Sequence, residues 1–346
     1  MTAKRIKIGI VGVNFGRWIV EDLLRPGDAN ELFELAAVCD LDAERANAMA
    51  AKAGVPAYTD LDELLRRDDI PVIGLFTGPS GRAALLRKLL AAGKDIMTTK
   101  PFEVDPDAAL AVLQEARAMG RVLHLNSPSP TPSEDIVQIQ KWEKEFNLGR
   151  PVGCRADVWV SYRETADGSW LDDPLRCPVA PIFRLGIYLI NDLIELIGKP
   201  ERVQVMHSRL FSGRPTPDNS QLAIGFENGA LANIYASFCV NDDQYYSNSL
   251  TLNYENGTVY RNVGKLAFTG NQARLTLVSR QGEAKATVAS VDYGDGSGRY
   301  QWRTFRQALD GETLADEIAP EQIADGLRVI AAMARAEKSG ATERII

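Results

Sequence analysis

Along the first 125 residues the apolar positions follow two rhythms in turn. Residues 6–13, "IKIGIVGV", form a short apolar run ending in a glycine turn, and "RWIVEDLLR" follows with helical spacing. "FELAAVCD" is a second apolar run, and "DAERANAMAAKAG" is helical and stops at Gly54, a C-terminal glycine signal. "VPAYTDLDELLRR" predicts a short strand and a capped helix. "PVIGLFTG", "KDIMTTK" and "RVLHLN" predict strands, separated by the helical stretches "SGRAALLRKLLAAG" and "DPDAALAVLQEARAMG". This strict alternation predicts an α/β domain at 1–125 built on a doubly wound parallel sheet.

Residues 126–346 read differently. "GCRADVWVSY", "RVQVMHSRLF", "SQLAIGFENGALANIYASF", "SNSLTLNYENGTVYRN", "GKLAFTG" and "RLTLVSR" are alternating strands, and "FENGA" and "YENGT" look like hairpin turns. Before most of them lies "APIFRLGIYLINDLIELIG", residues 180–198. Its isoleucines and leucines suit a buried helix, yet Arg184, Tyr188, Asn191 and Glu195 fall at i, i+4, i+7 and i+11 and share one face.

Composition narrows the possible functions. A length of 346 residues suggests two domains. A net charge of −7 with scattered basic residues argues against nucleic acid or acidic membranes as partners. "MTAKRIKIGIVGV" reads as a first strand rather than a signal peptide, and no run approaches the roughly 18 apolar residues of a membrane span. Cys39, Cys154, Cys177 and Cys239 are far apart and read as reduced core thiols, so a cytoplasmic protein is expected. Only two histidines exist, His124 and His207, both in strand-like runs. That excludes a clustered histidine metal site, no metal is expected, and no G-x-S-x-G anchors a serine hydrolase.

The turn after the first strand reads Gly12-Val13-Asn14-Phe15-Gly16, with Arg17 opening the helix. It is a shortened relative of G-x-G-x-x-G, in which glycines let the backbone approach a pyrophosphate and the helix N-terminus attracts it. "AAVCD" ends in Asp40, 28 residues after Gly12. A carboxylate there accepts hydrogen bonds from an adenosine ribose and repels a 2′-phosphate, which favours NAD over NADP.

The glycine turn, "AVCDLDAERANAMAAKAGVPAYTDLDELL", "FTGPSGRAALLRKLLAAGKDIMTTKPF" and "SWLDDPLRCPVAPIFRLGIYLINDLIELIG" together resemble the Gfo/Idh/MocA family of sugar and cyclitol oxidoreductases. "IADGLRVIAAMARAEKSGATERI" is similar to the family's closing helix. The resemblance implies an N-terminal Rossmann domain and, at 126–346, a C-terminal α/β domain with an open, mostly antiparallel sheet. It implies NAD(P) as cofactor and a sugar, cyclitol or related polyol or keto compound as substrate. The open sheet face suggests a homodimer or homotetramer.

The family's "EKP" lysine corresponds to Lys100 in Thr99-Lys100-Pro101, implying a place beside the nicotinamide and substrate. Its "T-P-x-x-x-H" loop corresponds to Thr77-Gly78-Pro79-Ser80-Gly81-Arg82, so Thr77, Gly78 and Pro79 are expected to line the cofactor. Arg82 stands at the histidine position, either as a ligand contact or as the first exposed residue of its helix. The family's D-x-G-x-H-x-x-D aligns with Arg184 to Asn191, keeping only Gly186. Tyr188 at the histidine position can act as general acid/base, since a phenol with an ordinary pKa of about 10 is a proton donor at neutral pH. Lys100 would be its electrostatic partner and Asn191 a substrate hydrogen-bonder; alternatively Tyr188 is core. Arg184 can bind an anionic substrate group, or pair with Asp192 or Glu195. Trp170, Asp172 and Asp192 are further substrate-side candidates, and Tyr162 and Arg163 lie at a strand end. "DYGDGSGRY", 292–300, reads as a loop rather than a phosphate cradle. Two other functions remain open on the altered residues: a redox-neutral enzyme with tightly held NAD, and a non-catalytic dinucleotide sensor.

Overall fold

A computed structural model describes residues 4–242, 246–263, 273–280, 287–294, 296 and 298–346. It divides into two compact units, Met1–Thr131 with Tyr300–Pro320, and Pro132–Arg299 with Glu321–Ile346.

The first unit runs β1 (Ile6–Val11), α1 (Val13–Leu24), α2 (Asp28–Leu32), β2 (Phe33–Cys39), α3 (Ala43–Ala53), β3 (Ala57–Tyr58), α4 (Leu61–Leu65), β4 (Val72–Leu75), α5 (Arg82–Ala91), β5 (Asp95–Thr98), α6 (Pro106–Ala118) and β6 (Leu123–His124). The six strands form one parallel sheet in the order β3-β2-β1-β4-β5-β6. Both faces are covered, so β4 is buried at every position, as an all-parallel sheet requires. Local chemistry sets the helix ends. Asp42, Asp60 and Asp105 accept backbone amides at the starts of α3, α4 and α6, and Gly54 ends α3 in the left-handed conformation.

The second unit runs α7 (Glu134–Glu145), β7 (Pro151–Trp159), a π turn at Ile182–Gly186 leading into α8 (Ile187–Ile197), β8 (Pro200–Ser208), β9 (Asn219–Phe226), β10 (Leu231–Ser237), β11 (Ser247–Tyr254), β12 (Gly257–Arg261), β13 (Ala273–Ser279) and β14 (Thr287–Tyr293). After α9 (Trp302–Leu309) come α10 (Pro320–Ser339) and β15 (Glu343–Arg344). Nine strands form a sheet ordered β14-β13-β12-β11-β7-β10-β9-β8-β15, antiparallel except at β7–β10. "FENGA" and "YENGT" are the turns of the β9–β10 and β11–β12 hairpins. "GKLAFTG" lies outside the described residues.

Alternation gives this sheet two faces. Ala156, Val158, Ile234 and Ala236 turn inward and are buried. Arg155, Leu231 and Asn253 share the opposite face and are exposed, beside Tyr235 and Tyr260.

Residues 300–320 belong to the first unit, which a single cut at 125/126 does not express. Phe305 stacks on Phe33 at 5.4 Å, and Trp302 lies 5.3 Å from the same ring. Burying these two rings closes the core beside β2, each contributing about 2–3 kcal/mol. His124 is buried 5.0 Å from Phe305, neither ring nitrogen has a hydrogen-bond partner among the described residues, and burial pushes its pKa down to about 3. His207 lies 3.4 Å from Glu337.

Candidate active site

The first turn of α1 begins four residues before Arg17, because two features make Val13 its first residue. Gly12 takes φ +83°, and the Asp40 carboxylate accepts the Val13 amide at 2.9 Å. A Cβ on Gly12 would stand 2.8 Å from the Phe76 carbonyl carbon and 2.9 Å from the Thr77 nitrogen. The turn therefore closes directly on the end of β4, and only glycine fits. Gly16 is buried, and a Cβ there would meet Ile10 at 2.9 Å. Asn14, Phe15 and Arg17 are exposed on the same helical turn, with Phe15 6.1 Å from Phe76. Asp40 also accepts the Asp42 amide at 3.1 Å and lies 3.3 Å from Arg45. Asp40 thus caps α1 from just beyond the end of β2.

Thr77, Gly78 and Pro79 follow β4, and Lys100 follows β5, at the C-terminal edge of the parallel sheet where such folds take ligands. The Lys100 amide donates to Asn126 Oδ1 at 3.0 Å, which also accepts from the Thr99 hydroxyl at 3.3 Å. Arg82 matches neither role that its sequence position suggested. It is only 2% exposed, and its guanidinium donates to the carbonyls of Thr99 at 2.6 Å, Pro101 at 2.9 Å, and Thr77. Burial pulls its pKa down to about 10, with Tyr300 and Glu103 acting in the other direction, so it stays cationic at neutral pH. Glu103, equally buried, accepts the Ala83 amide at 2.8 Å and the Gly81 amide at 3.3 Å, capping α5 from 20 residues away.

In the second unit the polar residues of the 180–198 stretch do not act as one set. The π turn breaks the regular spacing, and each residue finds its own neighbour. Arg184 makes a bidentate pair with Glu164 at 2.6 and 2.9 Å, with its guanidinium 4.9 Å from the Tyr162 ring and 4.7 Å from the Phe238 ring. Burial works against its charge and Glu164 more than offsets this, leaving the pKa raised. The carboxylate matched to this guanidinium is therefore the chain's own, and it is neither Asp192 nor Glu195. Tyr188 is half-buried against Gly298, where φ is +90° and a Cβ would stand 2.7 Å from the ring. Of "DYGDGSGRY", Gly298 thus contributes ring packing, Asp292 and Tyr293 end β14, and residues 295 and 297 lie outside the described residues. Asn191 is buried with its side-chain oxygen directly against Gly326 of α10.

Asp192 and Asp135 flank Arg261 at 2.7 and 3.0 Å, and all three are buried. Asp192 is thus an ion-pair partner inside the unit. Glu195 Oε1 is buried without a hydrogen-bond partner among the described residues. Burial, then Asp192 and Asp135, push its pKa up to about 8. Asp172 accepts the amides of Asp167 and Gly168 at 2.8 and 2.6 Å, and its other oxygen pairs with Arg214 at 2.6 Å. It organises its own loop. Trp170 packs edge-on against Phe183 at 6.4 Å, and Arg163 covers Phe211 at 5.1 Å.

Asn126, Glu103, Glu164 and Arg261 matter to these arrangements and were missed in the sequence. Each acts on a partner at least 20 residues away, so no local spacing marks it. Among the described residues, no group of three or more His, Cys, Asp or Glu side chains is placed to hold a metal, and no helix is long and apolar enough to cross a membrane.

A glycine turn closing on β4, a carboxylate at the end of β2 and a lysine after β5 define a Rossmann-type dinucleotide-binding unit, followed by an open-sheet unit. Residues 6–127 match the family model described as "Oxidoreductase family, NAD-binding Rossmann fold" of GFO/IDH/MocA, and residues 136–260 match the GFO/IDH/MocA C-terminal domain. The chain belongs to the Gfo/Idh/MocA oxidoreductase family. An uncharacterized oxidoreductase of Schizosaccharomyces pombe is 25% identical over 169 residues, 46% of this chain and 43% of the relative, so the chain spans less than half the length of that relative. D-xylose 1-dehydrogenase (NADP(+)) 2 of Haloferax volcanii is 22% identical over 317 residues, 89% of this chain and 91% of the relative. The same fold is found in an NAD binding oxidoreductase from Klebsiella pneumoniae, with TM-score 0.75 at 18% identity over 99% of both chains. It recurs in levoglucosan dehydrogenase in complex with NADH and levoglucosan, with TM-score 0.75 at 15% identity over 99% of this chain and 100% of that one.

Proposed function

We propose that the protein is an NAD-dependent oxidoreductase interconverting a CH–OH group and a carbonyl on a neutral sugar, cyclitol or related polyol. The observation that carries this is the Gly12 turn, which a Cβ would fill, set beside the Asp40 carboxylate at the N-terminus of α1. The helix end and its amides suit a diphosphate. Asp40 suits a ribose diol and opposes a 2′-phosphate, which supports NAD over NADP. Thr77, Gly78, Pro79 and Lys100 would flank the nicotinamide. When bound, NAD supplies the hydride acceptor, and NADH the donor.

Tyr188 would exchange a proton with the reacting oxygen, assisted electrostatically by Lys100, and Asn191 would hydrogen-bond a hydroxyl. Because Arg184 already holds Glu164, a neutral substrate suits the site better than an anionic one. The protein would work in the cytoplasm as a homodimer or homotetramer.

The test is NADH binding followed by fluorescence, with hydride transfer assayed on D-xylose, myo-inositol and a panel of uncharged polyols. Tyr188→Phe is expected to lower kcat at least about 100-fold with NADH affinity unchanged. Normal turnover by that variant would remove Tyr188 from the role. Turnover without net NADH change would mark a redox-neutral enzyme, and binding with no turnover on any substrate a sensor.

A further inference from the structure

We infer that Arg82 is a positioning residue: its guanidinium clamps the Thr77 turn to the Lys100 turn, so that both cofactor-lining segments are held by one rigid fork. The inference rests on the proposal that these two turns flank the nicotinamide.

The geometry is specific. Three carbonyls converge on one buried side chain: Thr77 after β4, and Thr99 and Pro101 on either side of Lys100. Carbonyls only accept, so whatever holds them must supply three donors in fixed directions. A planar guanidinium does so, whereas an imidazole offers at most two and an ammonium lacks the fork. Arg82 is itself fixed, because it opens α5 and Glu103 caps that helix through the Gly81 and Ala83 amides. From the other side Asn126 accepts the Lys100 amide. The Thr99–Lys100 peptide is therefore gripped at its carbonyl by Arg82 and at its amide by Asn126, and Arg82 also holds the Pro101 carbonyl. Removing the guanidinium leaves three buried acceptors unmet, and the two turns lose their common anchor.

The experiment compares wild type, Arg82→Ala and Arg82→Lys by thermal melting, amide hydrogen exchange of the segments 77–81 and 98–104, and NADH titration. Each is run with and without millimolar guanidinium chloride. Exchange is expected to rise in both segments and NADH affinity to fall about tenfold in each variant. Added guanidinium is expected to restore both in Arg82→Ala but not in Arg82→Lys, whose side chain still fills the space. Unchanged NADH affinity in a folded variant, or lowered affinity in Arg82→Ala that guanidinium does not restore, would overturn the inference. If Arg82→Ala does not fold, Arg82→Lys decides: wild-type exchange and affinity in it would show that the fork is not needed. If wild type itself fails to bind NADH, the cofactor reading fails separately. The clamp is then judged by exchange alone, and a rise confined to the two segments and reversed by guanidinium sustains it.

Discussion

Buried charge decides what single residues can do here. Arg184, Asp172 and Asp192 look alike in the sequence as polar residues near a catalytic helix, but each is saturated by a partner within its own unit: Glu164, Arg214 and Arg261. An ion already paired has little left for a ligand, and breaking the buried Asp192–Arg261 pair would leave an uncompensated charge. Glu195 is the contrasting case, a carboxyl kept neutral by burial beside two carboxylates. Its folded pKa of about 8 stands above the ordinary 4.5, so the native state holds a proton that the unfolded chain has released. Its effect on stability is absent below pH 4.5, becomes more unfavourable as pH rises toward 8, and is constant above that. Glu195→Gln is therefore expected to raise the melting temperature at pH 8 by about 5 °C, with little change near pH 4. Thermal melts across this range test it, and equal shifts at both ends would show that the fold does not raise the Glu195 pKa.

At the scale of elements, the strands and helices of the first unit were legible because each carries its own signal. Runs buried on both faces, aspartate caps and the terminal glycine at Gly54 all depend on neighbours within a few residues. The role of α9 was not legible. Nothing local in "QWRTFRQAL" says that it packs on Phe33, nearly 270 residues earlier in the chain. Phe305→Ala is expected to cost about 3–5 kcal/mol, seen as a lower denaturation midpoint. Because α9 packs beside the β2 core, NADH should protect the variant less than wild type. The helix at 180–198 is buried as its isoleucines and leucines predict, but its even polar stripe is not preserved, because the π turn at Ile182–Gly186 offsets Arg184 from the residues after it.

For the whole molecule, one face of the nine-stranded sheet carries strongly exposed apolar side chains among the described residues, Leu231 and Met206 above all. Exposed apolar area of this kind on a wide sheet favours association. Light scattering is expected to give a dimer or tetramer, and Tyr235→Glu on that face to shift it toward monomer. A monomeric wild type would show that this face does not associate, and an unaffected variant would place the contact elsewhere.

The sequence alone determined the parallel sheet, the glycine turn at Gly12, the carboxylate at Asp40 and the family, because these follow from short-range periodicity and from motifs with fixed spacing. Tertiary structure alone decided the partners of the charged groups and the return of residues 300–320 to the first unit. It also decided that Arg82 grips carbonyls rather than meeting solvent. Partner choice depends on which groups lose water together, and desolvation is a property of the packed interior that spacing along the chain does not carry.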